Sequence, residues 1–308
     1  MSSFYFRISG CITMKAKGRG FSLHLPRTLE NQVDYRKLLA SAAKHLFIYA
    51  LAFTTIIPFV WLISSSLKWE RDIFAFPIQW IPNPPRWENY AKVFERLPFG
   101  LYYLNTLKIA LTVLVIQVLT CSMAAFSFTK LRYPGRSVLL VIYIATLMVP
   151  SQVTLIPQFI IVRSLKLFNT HLGLILLDGF SAFGIFMLVQ FFRGVPNEMM
   201  DAAKIDGANL FTTYSRVVMP MSKPALSALA IMSIIGSFND FMRPMIYLNT
   251  DDLRTITLGL RTFVTKYASE INLQMAGTVM ALVPILIVYI VAQEQIIRGI
   301  SFNGGLKG

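Results

Sequence analysis

Asp178, Asp240, Arg243 and Glu294 stand within or at the ends of long apolar runs. An ionised side chain facing lipid at a helix centre costs about 2.5–3.5 kcal/mol or more, so such groups are kept where they face a bundle interior or a cavity. Asp240 and Arg243 are three positions apart, which puts them on one face of a helix and lets them pair. Two uses of these groups compete. Asn239 and Asp240, with Asp178, can line a route for a solute. Alternatively the charges form a structural network that joins one helix to its neighbours, the commoner use of polar side chains between packed membrane helices.

Little else in the chain suits covalent or metal chemistry. His24, His45 and His171 are scattered and form no metal or nucleophile constellation. Cys11 and Cys121, one in a polar N-terminal stretch and one in an apolar run, give neither a disulfide framework nor a metal spacing. A phosphate-cradling loop needs Gly-x-x-x-x-Gly-Lys-Ser/Thr, and no Gly-Lys dipeptide occurs. The chain is therefore expected to hydrolyse no ATP and to bind no cofactor, and its energy must come from a partner or an ion gradient.

The most informative segment begins at Phe191-Phe192-Arg193-Gly194-Val195-Pro196 and runs through Asn197-Glu198-Met199-Met200-Asp201-Ala202-Ala203-Lys204-Ile205-Asp206-Gly207-Ala208 to Pro224. Pro196 suits a helix start, where its missing N–H would be unpaired anyway. Glu198 and Asp201 put negative charge in the first turns, where the helix dipole favours it. Asp206-Gly207 is a stop, because glycine takes the left-handed conformation without penalty. A second helix is expected from about Asn209 and Leu210 to Val218, ended by Pro220. Ala202 and Ala203 give the first helix a low-relief face, suited to lodging in a groove of a soluble partner and being pushed as a rigid lever. The competing view is an ordinary amphipathic surface helix.

These residues must be positioned by a membrane-embedded framework. The 308-residue chain is 55% hydrophobic and only 14% charged, with mean hydropathy +0.57. Soluble domains carry about a quarter charged residues. A bilayer-spanning helix needs about 20 mainly apolar residues, and six stretches qualify: 46–66, 107–128, 138–162, 172–192, 225–248 and 276–297. The third contains Pro150 and Pro157, breaks that survive where neighbouring helices or cavity water satisfy the freed backbone groups.

The formal net charge of +14 fits a positive-inside bias better than nucleic-acid binding, since the basic residues do not cluster with aromatics in a soluble domain. Placing both termini inside makes the inner segments richer in Lys and Arg than the outer ones. The clearest part is the short loop Lys130-Leu131-Arg132-Tyr133-Pro134-Gly135-Arg136. All four tryptophans (Trp61, Trp69, Trp80 and Trp87) fall at the outer end of the first span or in the loop after it. They are expected to anchor that loop in the headgroup zone; contact with an external partner is the sharper alternative.

The segment around Asp201 resembles the EAA motif of binding-protein-dependent ABC importer permeases. Asp201-Ala202-Ala203 stands for the motif's Glu-Ala-Ala, and Gly207 falls on its glycine. Asp201 is a conservative departure from the usual glutamate. The chain further resembles the MalG-like carbohydrate permeases in Asn105-Thr106, in Gly236-Ser237-Phe238-Asn239-Asp240-Phe241, and in the tail from Arg298-Gly299-Ile300 to Gly304-Gly305-Leu306-Lys307-Gly308.

The resemblance implies an all-α polytopic protein with six transmembrane helices and the type I ABC importer permease fold. Residues 1–44 would be a cytoplasmic tail and 45–104 the first span with its outer loop. Residues 105–298 would be the transmembrane domain, with a coupling helix at 197–210, and 299–308 a cytoplasmic C-terminal tail. Glu198, Asp201, Ala202, Ala203, Asp206, Gly207, Ala208 and Leu210 would contact the ATPase. Gly304, Gly305 and Lys307 would reach it from the tail. The implied partners are a second, related permease subunit, two cytoplasmic ATP-binding subunits that carry ATP and Mg, an extracytoplasmic solute-binding protein and the bilayer. The implied cargo is a sugar or oligosaccharide. The alternatives are an ABC importer for another solute, such as a polyamine or phosphate ester, and a secondary transporter driven by an ion gradient. The second alternative gives the Asp201-to-Gly207 segment no role and calls for internal repeats that the sequence lacks.

Overall fold

The computed structural model describes residues 5–8, 12–16, 21–24, 35–265 and 268–301, with side chains over 39–264 and 270–294. The chain divides into two units, Met1–Phe59 and Val60–Gly308. The tail contacts expected of Gly304, Gly305 and Lys307 lie outside the described residues.

In the first unit, strands β1 (Tyr5–Ile8), β2 (Ile12–Ala16) and β3 (Phe21–His24) form an antiparallel sheet in that order. The sequence reading gave this stretch only as a polar, basic tail. Helix α1 (Tyr35–Ser66) starts in this unit, and its last turns belong to the second. Leu46, Phe47, Tyr49, Phe53 and Ile56 are all exposed on α1. An apolar helix with no buried stripe is stable only in lipid or a large core.

The second unit continues with α2 (Glu70–Ile73) and α3 (Glu88–Arg96), which order the loop after the first span. The loop is knitted by the Ser64 hydroxyl donating to the Trp80 carbonyl at 2.6 Å and by Asn89 donating to the Ser66 and Lys68 carbonyls at 2.8 and 2.9 Å. The Arg86 guanidinium lies 3.5 Å from the ring centre of Trp69. Helix α4 (Phe99–Lys130) is the central span. It is followed by α5 (Arg136–Ala145), a tight turn at Thr146–Met148, and α6 (Ser151–Ser164).

The third expected span is thus two helices bent by 103° at Pro150. Proline disfavours helix for the residue before it, so Val149 is extended and the helix ends there. Pro157, by contrast, is accommodated inside α6.

The fourth span, read as continuous, consists of α7 (His171–Asp178) and α8 (Ala182–Arg193) with Gly179-Phe180-Ser181 between them. The connection from α8 to the next span carries α9 (Asn197–Ile205), α10 (Leu210–Thr213), a π-type turn at Tyr214–Val218, and α11 (Met219–Met221). Helix α12 (Lys223–Asn239) turns away by 79° from the run Leu210–Met221. Pro220 therefore does not end the second helix of this connection, because near the start of α11 its ring replaces no needed donor. The bend falls at Ser222 instead.

The fifth span stops at Asn239, not Leu248. Asp240 is extended, and α13 (Met242–Tyr247) and α14 (Ile256–Leu260) pack beyond it. The short ribbon β4 (Val264–Thr265) and β5 (Ala268–Ser269) precedes the last span, α15 (Ile271–Ser301). Four helical runs are long and apolar enough to cross a membrane, and the two bent pairs bring the total to six if each counts as one span. Every described span is helical, as expected; the described strands are β1–β3 in the first unit and the β4–β5 ribbon just before α15.

Three buried clusters hold the second unit together. One joins Phe126 of α4, Leu188 and Phe192 of α8, Met200 of α9, and Leu229 of α12. A second joins Tyr102, Ile256, Leu260 and Leu273, and a third joins Ile109, Leu174 and Tyr247. In the second cluster, a Cβ on Gly259 would lie 2.3 Å from Cδ2 of Tyr102, whose ring is 2% exposed and has little room to retreat. Gly259→Ala is expected to destabilise the protein by about 1–3 kcal/mol through overpacking. A lowered midpoint in thermal unfolding of the detergent-purified chain checks this. An unchanged midpoint would mean that α14 can move off α4 at little cost.

Candidate functional site

The connection between α8 and α12 is a helical segment clamped at both ends. Pro196 has the extended backbone of the position before a helix, and Asn197 begins α9. Glu198 lies in the first turn and Lys204 in the last, each where the helix dipole favours its charge. The Asp201–Lys204 ion pair, at 3.7 Å and well exposed on both sides, is worth about 0.3–0.5 kcal/mol. Gly207 takes φ +79°, its N–H donates to the Lys204 carbonyl at 3.0 Å, and Ala208 N–H donates to the Ala203 carbonyl at 2.9 Å. Those two bonds and the left-handed glycine make a Schellman stop. Two residues on, the Asn209 side chain accepts from Thr212 N–H at 2.8 Å and starts α10.

Three anchors hold this segment to the spans. Met200 is 5% exposed within the cluster that includes α4, α8 and α12. The Tyr214 ring meets Phe126 edge-on at 5.4 Å, and its hydroxyl lies 2.7 Å from the Ser122 hydroxyl. Lys130, at the end of α4, donates to the Val195 carbonyl at 2.6 Å and to Asn197 Oδ1 at 3.2 Å. A push on α9 therefore reaches α4 and α12 through packed atoms, not through a loose loop.

The outward face differs from the expected one. Ala202 is exposed, but Ala203 is 9% exposed and packs inward. Adjacent helical residues are about 100° apart, so the two alanines cannot share a face. The exposed apolar side chains are Met199, Ile205, Leu210 and Phe211, with Ile205 at 87%. Met199, Ala202 and Ile205 recur every third residue, a period visible in the sequence. The Lys130 and Tyr214 anchors were not visible there, since each is brought in from a distant part of the chain.

The polar residues form a second constellation. Arg243 lies between two carboxylates: its Nε is 3.0 Å from Asp240 Oδ2, and its NH1 pairs with Asp178 Oδ1. The Asp240–Arg243 pair matches the spacing argument, and Asp178 is the member that sequence alone did not attach to it. The network joins α7 to the turn after α12. Asn239 is not part of it; its side chain is exposed at the end of α12. Glu294 lies apart, near the end of the apolar window of α15.

The break between α7 and α8 is served by α4. Gln117 donates to the Asp178 carbonyl at 2.6 Å, Thr120 to the Gly179 carbonyl at 2.8 Å, and the Ser181 hydroxyl accepts from Gly184 N–H at 3.0 Å. Backbone groups freed within a membrane must find such partners. Among the described residues no group of His, Cys, Asp and Glu could hold a metal ion.

The spans, with their bends, and the clamped helix between α8 and α12 are shared with a known family. The profile of the binding-protein-dependent transport system inner membrane component family matches residues 117–301, and the chain belongs to that family. It is a multi-pass membrane transport component, the permease of an ABC importer, and not a catalytic subunit.

It is 30% identical over 263 residues to the arabinooligosaccharides transport system permease protein of Halalkalibacterium halodurans, covering 84% of this chain and 93% of that one. It is 31% identical over 266 residues to the diacetylchitobiose uptake system permease protein of Streptomyces coelicolor, covering 85% and 87%. The fold matches, with TM-score 0.74 and 22% identity, a chain in the crystal structure of a bacterial ABC transporter involved in the import of the acidic polysaccharide alginate, over 84% of this chain and 97% of that one. The expected type I permease fold is thereby established. The ion-gradient alternative gives way to family membership.

Proposed function

We propose that this chain is one half of a permease pair that carries a sugar or oligosaccharide across the cytoplasmic membrane by alternating access. Two cytoplasmic ATP-binding subunits, which hold the ATP and Mg, grip α9 and its flanks at Glu198, Asp201, Ala202, Asp206, Gly207 and Leu210. When they close on ATP, they draw α9 and the corresponding helix of a second, related permease together. An extracytoplasmic solute-binding protein delivers the cargo to the outer side. Both termini lie inside, and the tail residues Gly304, Gly305 and Lys307 add a contact to the ATPase.

The observation that carries this mechanism is an exposed apolar face (Met199, Ala202, Ile205) on a short helix whose opposite side is anchored by Met200 and Ala203. An apolar patch on a polar surface is suited to burial by a partner, and a clamped helix transmits displacement. Ala203 acts from beneath as packing, not as contact. A carbohydrate cargo is supported by relatives named for arabinooligosaccharides, diacetylchitobiose and lactose. One observation favours another solute: a relative in Yersinia pestis, 28% identical over 250 residues, is named for sn-glycerol-3-phosphate.

Reconstituting the complex purified through this chain decides both points. Uptake of a labelled oligosaccharide should require ATP and a co-purifying ATP-binding subunit. Uptake without nucleotide would overturn the lever mechanism, and ATP-driven uptake of only a phosphate ester would overturn the sugar assignment.

A further inference from the structure

The family and the lever leave one cluster of charge unexplained. Arg136, at the first position of α5, lines two hollows on the face where α4 ends and α5 begins. One, of about 210 Å³, is lined by Thr129, Arg136, Ser137 and Arg193 on its polar side and by Leu140 and Val141 on its apolar side. The other, of about 300 Å³, is lined by Arg132, Tyr133, Arg136 and Val138. No acidic residue lines either hollow, and among the described residues no carboxylate pairs with Arg132, Arg136 or Arg193.

Arg136 is held in place because its NH1 donates to the Leu131 carbonyl at 2.7 Å. That bond leaves the rest of its planar fork to point at a ligand. Gly135, with φ +79°, turns the chain into the ten-residue α5, which begins at Arg136. Asp201 lines a further hollow that Arg132 and Arg136 also line, but it is itself paired with Lys204 at 3.7 Å. A guanidinium fork, a second arginine and two hydroxyls suit a phosphate.

The surroundings select which phosphate. Val138, Leu139, Val141 and Ile142 of α5 are all more than half exposed, and Val138 and Val141 themselves line the hollows. The charged end of the site thus opens onto an apolar helix surface. A soluble anion would leave that surface unused, whereas a phosphodiester carrying acyl chains covers it and puts its charge on the arginines. We propose that this cleft is a headgroup site for an anionic phospholipid, with Arg136 and Arg193 as its principal ligands and Arg132 at its margin. Anionic lipids attract basic residues at the membrane face by about five-fold in affinity per charge. The site depends on the chain spanning a membrane, not on which solute it carries or what grips α9.

The test uses the full-length chain extracted from vesicles of equal phosphatidylglycerol and phosphatidylethanolamine, with retained lipid read by native mass spectrometry. The wild type should retain phosphatidylglycerol in clear excess. Arg136→Gln and Arg193→Gln should each reduce that excess by about five-fold, and the Arg→Lys variants should keep most of it. Equal retention of both lipids by the wild type, or undiminished preference in the Gln variants, would overturn the proposal. So would displacement by inorganic phosphate at matched concentration, which would make this a site for free phosphate. If the Gln variants keep their lipid but lose a co-purifying ATP-binding subunit, the cleft is a protein interface and the lipid assignment fails. If they do not reach the membrane, the Lys variants and salt decide: release of phosphatidylglycerol from the wild type by raised salt supports the site, and retention at high salt refutes it.

Discussion

Gly207→Pro is expected to abolish solute-stimulated ATP hydrolysis and uptake while leaving membrane insertion intact. The native glycine sits at φ +79° and donates its N–H to the Lys204 carbonyl. Proline removes that donor and fixes φ near −65°, so the turn that ends α9 cannot form; the penalty is about 3 kcal/mol, or roughly a hundredfold fewer correctly formed segments. The anchors at Met200 and Tyr214 lie on either side of the turn, so the spans keep their packing while the exposed face loses its fixed aim.

The control is Gly207→Asn. Nothing lies within 4 Å of a Cβ built at this glycine, so the only cost is the left-handed backbone, which asparagine tolerates better than other non-glycine residues. Asparagine should therefore keep most of the activity that proline loses. Uptake and ATP hydrolysis in proteoliposomes, with membrane-fraction immunoblots for insertion, measure all three. Normal coupling in the proline variant would show that α9 is not what the ATPase moves.

Arg243→Met is expected to be the most damaging single change at the break between α7 and α8. It leaves Asp178 and Asp240, with side chains 19% and 14% exposed, facing each other without a cation. Removing one partner of a buried ion pair typically costs about 3–5 kcal/mol. Arg243 itself is 34% exposed, and water screens part of the charge, so a loss of about 2–3 kcal/mol is expected here. The loss reads as a melting midpoint lower by several degrees.

Adding Asp178→Asn to Arg243→Met should recover more than half of that loss, because one uncompensated charge is gone. Arg243→Lys should not substitute fully. The three N–H donors of an ammonium radiate from one nitrogen, whereas Arg243 reaches its two carboxylates from separate nitrogens, Nε and NH1, of a rigid plane. If the double variant melts no higher than Arg243→Met, the two carboxylates are not coupled through this arginine. If all variants melt like the wild type but transport falls, the triad serves the solute route and not the packing of α7 against the end of α12.

The two constellations were unequally legible beforehand. The stop at Gly207, the acidic first turn at Glu198 and the pairing of Asp240 with Arg243 are local matters, set by backbone preference and helical spacing. They could be read from the residues and were found in place. The division of Ala202 from Ala203 was also local, but small side chains give no signal of which face is buried. Only Met200, packing into a cluster built from five other parts of the chain, settles the rotation of α9. Asp178 could not be assigned to Arg243 from sequence, because the contact spans 65 positions and depends on the break after α7.

The count of spans was readable because lipid demands about 20 apolar residues in a row, a constraint that acts on the chain piece by piece. Where those spans bend was decided by tertiary structure. The sharp turn at Pro150, the gap at Gly179-Phe180-Ser181 and the early end at Asn239 each free backbone groups or reorient a helix. Whether such breaks are tolerated depends on donors supplied from elsewhere, as Gln117 and Thr120 do for the α7–α8 gap. Hydrophobic length and turn chemistry are properties of consecutive residues, so the sequence by itself determined the membrane class, the lever's start and its stop. The compensation of broken helices and the clamping of the lever by Lys130 and Tyr214 are properties of residues far apart in the chain, and only the fold brings them within bonding distance.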